Sequence, residues 1–200
     1  MGYRFGQIIA VSLVVFAVIP VHAAVSIQQA DTFVRKVATI RQQGLVDAPK
    51  TAAMRTPVTQ DELNSWFTYR AQAVLPAGVS KLQLTILGQG KVAGEMTVDL
   101  DTIGKGRRSG GAFDPWSYLG GSVPVSVSGI LHTENGLGRF ELQSAEVSGV
   151  TVPKAMMQQL VSAYSRTTAN PAGLNLDSAF PLPANIDKIE VGQGQAVVVQ

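Results

Sequence analysis

Lys81 to Asp101, KLQLTILGQGKVAGEMTVDLD, decides the fold class. Leu82, Leu84 and Ile86 alternate with Lys81, Gln83 and Thr85, which is the two-residue period of a strand with one buried face. Gly88-Gln89-Gly90 then breaks the run. Beyond it Val92, Gly94, Met96, Val98 and Leu100 alternate with Ala93, Glu95, Thr97, Asp99 and Asp101, so the stretch predicts two antiparallel strands around a short glycine turn. Val123, Val125 and Val127 resume the alternation. Asn135-Gly136, a strong hairpin signal, separates it from Phe140 and Leu142. A turn near Ser148-Gly149 leads to Val150 and Val152. The chain closes with Ile186, Ile189 and Val191, a Gly192-Gln193-Gly194 turn, and Ala196 to Val199, which predicts a last strand pair.

Helical spacing flanks these strands. From Val25 to Gly44 the apolar positions Ile27, Ala30, Phe33, Val34, Val37 and Ile40 recur every three or four residues, predicting an amphipathic helix stopped by Gly44. Residues 45–57, with Pro49 and Pro57, read as a linker. Thr59 with Glu62 three residues on forms a capping box, and Val58 packs against Leu63 as a staple, so a second helix is expected over Gln60–Ala73. Pro153 suits the first turn of a third helix whose apolar face is Met156, Met157, Leu160, Val161 and Tyr164. Hairpin-joined strands with interspersed helices argue for an α+β fold: a twisted antiparallel sheet wrapping or packed on one long helix plus a second helix, preceded by the N-terminal amphipathic helix.

Residues 1–23 read as a signal peptide. Arg4 is its charged region, Ile8 to Val21 its apolar stretch, and Val21-His22-Ala23 its cleavage site. The apolar stretch spans about 21 Å as a helix, short of the roughly 30 Å hydrocarbon core, so no transmembrane span is expected after its removal. The expected organisation is a signal at 1–23, an N-terminal helix and linker at 24–56, and one α+β domain at 57–200. An exported, most simply periplasmic, protein follows, with secretion as the other outcome.

Composition narrows the chemistry. The formal net charge is +2 on 200 residues, too small to draw the chain to nucleic acid. The chain has no cysteine, which excludes disulfides, thiol nucleophiles, cysteine metal sites and a lipidated cysteine. Beyond the signal His132 is the one histidine, beside the Asn135-Gly136 turn, which leaves no histidine metal cluster and little basis for a catalytic triad. Asp99 and Asp101 continue the polar face of Glu95 and Thr97, and Glu141 and Glu146 read the same way. No enzyme, cofactor or metal is expected.

Gly104 to Gly121 is glycine-rich and carries Lys105, Arg107, Arg108, Phe113, Trp116 and Tyr118. It lacks the order of a nucleotide-binding loop. Two readings stand: a hairpin connection without a ligand, or a headgroup loop in which Lys105, Arg107, Arg108 and Trp116 meet an anion. Hydrophobic residues make up 46% of the chain but aromatics only 6%, so its interior is aliphatic, which suits acyl chains and an ordinary core equally. Met156 and Met157 fit both.

Three stretches together carry a family likeness: Pro57-Val58-Thr59-Gln60-Asp61-Glu62-Leu63-Asn64-Ser65-Trp66-Phe67, Val147 through Val161, and Phe180-Pro181-Leu182-Pro183 through Val199. Their order resembles bacterial envelope proteins with a single tubular lipid-binding (TULIP-like, BPI-like) domain, over about residues 57–200. The resemblance implies a sheet wrapped on a long helix, an apolar groove for lipid acyl chains, and no catalytic residues. It implies a groove lining of Leu63, Phe67, Leu84, Met96, Val98, Met156, Leu160 and Tyr164. The expected function is an exported non-enzymatic binding protein that carries or senses envelope lipids. The alternative is an envelope assembly or scaffold protein with a filled core, whose N-terminal helix docks on a protein partner.

Overall fold

The computed structural model describes residues 25–46, 52–104, 121–164, 171–173 and 175–200, without the side chains of residues 103, 104, 160, 163 and 164. The expected signal at 1–23 and the cationic loop residues Lys105, Arg107, Arg108 and Trp116 lie outside the described residues. The fold is α+β: the described residues form four α-helices and a mostly antiparallel six-stranded sheet, with a smaller three-stranded sheet beside it.

Helix α1 (Ile27–Gly44) starts at Ser26, whose hydroxyl accepts the Gln29 N–H. Strand β1 (Arg55–Thr59) runs directly into α2 (Gln60–Tyr69). Thr59 ends the one and caps the other through the expected capping box: its hydroxyl accepts the Glu62 N–H while Glu62 accepts the Thr59 N–H. β1 occupies the last residues of the stretch read as a linker. Pro57 is compatible with this strand because a proline is tolerated on an edge, and β1 is an edge strand. α2 also ends earlier than expected. Arg70 leaves helical geometry with φ −130°, and Ala71–Ala73 form a separate 3₁₀ turn.

The larger sheet is built from β2 (Val79–Gly88), β3 (Lys91–Asp99), β4 (Ser122–Glu134), β5 (Leu137–Val147) and β6 (Val150–Thr151) in that spatial order. The dipeptide β7 (Phe180–Pro181) pairs with the start of β5. The three turns expected within this sheet are present, and each places a side chain-bearing residue and then glycine at positive φ: Gln89-Gly90, Asn135-Gly136 and Ser148-Gly149. β3 stops at Asp99, so the expectation of a strand through Asp101 is corrected. Asp99 accepts the N–H groups of Asp101 and Thr102 and turns the chain into the short helix α3 (Leu100–Gly104). Helix α4 (Lys154–Tyr164) follows Pro153, whose carbonyl accepts the N–H groups of Met156 and Met157.

The closing pair, β8 (Lys188–Val191) and β9 (Gln195–Val199), joins the smaller sheet, ordered β1-β9-β8, rather than extending the larger one. There Ile40, Ile186 and Val198 form a buried cluster with Leu182, Ala184 and Ile189 around it. Lys36 ties α1 to α2 by donating to both Glu62 carboxylate oxygens, at 2.7 and 2.8 Å, and to the Pro57 carbonyl. The two sheets meet where Gly194 donates to the Ile86 carbonyl and where the Thr133 hydroxyl bonds both backbone groups of Ile189.

Candidate functional site

Cross-strand register collects the apolar positions of the larger sheet on one face. Leu84 lies opposite Gly94 and Ile86 opposite Val92, so the even positions of β2 and β3 share a side. Met96 lies opposite Val125, Val98 opposite Val123, and Val125 and Val127 in turn oppose Val147 and Ala145. A register shift at Ser128/Gly129 keeps Leu142 and Phe140 on that face as well, although their parity in β5 differs from that of Ala145 and Val147. The face is therefore continuous over four strands.

Little of it is fully withdrawn from water. Of these side chains Ile86, Val123 and Ala145 are buried, whereas Leu84, Met96, Val98, Val125, Val127, Phe140 and Leu142 are half-buried. The expected lining residues Leu84, Met96 and Val98 are thus brought together. Leu63 and Phe67 sit half-buried on α2, which packs against β2. Phe67 also lies in an aromatic run, its ring 5.3 Å from that of Trp66, which stands 5.5 Å from Phe33 of α1. Met156 is exposed at the start of α4, while the side chains of Leu160 and Tyr164 lie outside the described residues.

Two side chains important to this site carried no expectation. Asn64 of α2 accepts the Leu84 N–H at 2.7 Å and donates to the Leu84 carbonyl at 2.9 Å, and Gln60 accepts the Ile86 N–H at 2.8 Å. Residues four apart on a helix rise about 6 Å, close to the roughly 6.8 Å between alternate residues of a strand, so α2 mimics a neighbouring strand along the β2 edge. The i, i+4 pair of carboxamides is the sequence signal that would have revealed it.

The opposite face is polar. Gln83, Glu95, Ser126, Glu146 and Thr151 stand in one row across five strands. A depression of about 210 Å³ lies over this row, lined also by Lys81, Met96, Thr97, Pro124, Val125 and Gly149. It is shallow, and Lys81, Glu95 and Glu146 line it with charge. His132 and Glu141 lie on this polar side as an exposed pair, 3.1 Å apart, and no serine bonds the imidazole among the described residues. Among the described residues no three His, Asp or Glu side chains converge on a point where a metal ion would fit, and no helix is long and apolar enough to cross a membrane.

One surface group is strongly perturbed. Glu190 of β8 is held at a pKa of about 2 by hydrogen bonds from Arg55 and then Lys188, and the Arg55 guanidinium is raised in turn by the same carboxylate. The three cross the outside of the smaller sheet and link β1 to β8 over β9. No protein-family model, curated protein or solved structure matches the chain.

Proposed function

We propose that this protein is an exported, non-enzymatic carrier or sensor that shelters lipid acyl chains against the apolar face of its six-stranded sheet, with α2 and α4 as the flanking cover. The observation that carries the reading is the state of that face. It is aliphatic over four strands, yet Leu84, Met96, Val98, Val125 and Val127 keep part of their surface in water. An aliphatic surface that the fold leaves half-covered gains free energy from an acyl chain at about 25 cal/mol per Å² removed from water. The likeness of residues 57–200 to tubular lipid-binding envelope proteins supports the same ligand class, and Lys105, Arg107, Arg108 and Trp116 supply the cations and aromatic ring for its headgroup.

Native mass spectrometry of gently purified protein tests this, followed by titration of the delipidated protein with a fluorescent fatty acid. The expected results are an added lipid mass and saturable uptake. Val125→Glu, which places a charge in the middle of the face, is expected to weaken uptake at least about tenfold while the circular dichroism is retained. Bare chain mass together with no uptake by the unsubstituted protein overturns the proposal.

A further inference from the structure

We propose that α1 is a self-association helix, pairing antiparallel with α1 of a second copy of this chain. The inward side of α1 is occupied: Ala30 and Ile40 are buried, Lys36 is held by Glu62, and Phe33 meets Trp66. Its outer shoulder is not. At 3.6 residues per turn Ile27, Val34, Ala38 and Leu45 fall within about 20° of a single line along the helix. All four are exposed, Ile27 by 45%, Val34 by 44% and Leu45 by 83%. The line runs for about 27 Å at 1.5 Å per residue. An apolar line of this narrow width, repeating at seven- and four-residue intervals, is the pattern of a helix-to-helix seam.

The charges beside the seam choose the occupant and its direction. Asp31 and Arg41 border the line one on each side, with Asp31 held by Arg70 at 2.6 Å and Arg41 exposed. The pattern is symmetric about position 36. Antiparallel pairing about that point sets Ile27 level with Leu45 of the second copy, Val34 with the small Ala38, and Asp31 with Arg41. A parallel pair would set Arg41 against Arg41 and Asp31 against Asp31. Charge complementarity therefore favours a second copy in the antiparallel sense, and a two-fold axis makes every such contact twice.

The absence of cysteine makes the test clean. Sedimentation equilibrium of the purified protein is expected to show a monomer–dimer equilibrium. Ile27→Cys and Leu45→Cys chains, both substituted at exposed positions, are expected to form a disulfide when mixed. Ile27→Cys alone is expected not to, because its two copies would stand about 27 Å apart, far beyond disulfide reach. Arg41→Glu is expected to weaken the dimer at least about tenfold, and Asp31→Lys added to it to restore association. A protein that stays monomeric, or a dimer that cross-links through Ile27→Cys alone or through neither combination, overturns the proposal.

Discussion

Asn64 satisfies both backbone groups of Leu84 through one carboxamide, and no other side-chain type offers a donor and an acceptor at that length and spacing. Asn64→Ala is expected to cost about 1–3 kcal/mol in denaturant unfolding, because it leaves two part-buried backbone groups without partners. Faster hydrogen exchange at the Leu84 amide is the accompanying signature, and Asn64→Asp, which keeps the acceptor, is expected to protect that amide partly. Gly44 shows a different constraint. It is the last residue of α1, as its place in the sequence suggests, and the cap is Leu45 in a right-handed conformation with φ −90°. Glycine is required there because a Cβ would stand 2.5 Å from the Ala184 carbonyl oxygen. Gly44→Ala is thus expected to destabilise by about 1–3 kcal/mol through a displaced Ala184 segment, measured by thermal unfolding. Had glycine served as a left-handed cap, Gly44→Asn would be tolerated. The packing account predicts that it is worse than alanine.

At the scale of elements, β1, β9 and β8 are held by ladder hydrogen bonds inside and by the Arg55–Glu190–Lys188 cluster outside. The outer edge of β1 has little left to offer another strand. Pro57 lacks an N–H, its carbonyl accepts Lys36, and the Thr59 N–H is taken by Glu62. The cluster is expected to make the smaller sheet sensitive to acid. The Glu190 pKa is depressed in the folded state, so its contribution is fully present above the ordinary carboxylate value near 4.5 and is lost as pH falls through about 2. Thermal midpoints recorded between pH 5 and pH 2 are expected to fall more steeply for the unsubstituted protein than for Glu190→Gln, and the gap is expected to narrow in high salt because the pair is exposed. Parallel curves would remove Glu190 as a source of acid sensitivity.

For the whole molecule, the consequential feature is that its strands divide between two sheets while α1 and α2 lie together over the junction. α2 packs on β2 and touches α1, so the Lys36–Glu62 pair and the Asn64 contact act in one body. Both proposed binding surfaces follow from this arrangement. The inner side of the α1–α2 pair is committed to the protein itself, which leaves the shoulder of α1 for a second copy and the half-covered sheet face for a ligand. The two lie on different elements, so loss of lipid uptake in Val125→Glu is expected without loss of the dimer.

Local chemistry alone determined the turns, the strand periods and the helix starts of this protein. Asn135-Gly136, Ser148-Gly149 and the Thr59–Glu62 capping box each act within a few residues, and all three are where the sequence places them. The same alternation put Leu84, Met96 and Val98 on one face, since side chains two apart share a side whatever lies next to the strand. Tertiary structure decided what depends on partners far along the chain. β1 exists because β9, about 140 residues later, supplies its ladder, and no local signal in a proline-bearing stretch encodes that pairing. The register shift opposite Gly129 carries the apolar face from Val147 to Phe140 across a change of parity, which reading β5 alone would assign to two opposite faces. Gly44 is fixed by Ala184, and the polar α2 positions Gln60 and Asn64 by an unpaired strand edge. In each case the cause is close contact between segments distant in sequence, where backbone hydrogen bonds must be completed and atoms cannot overlap.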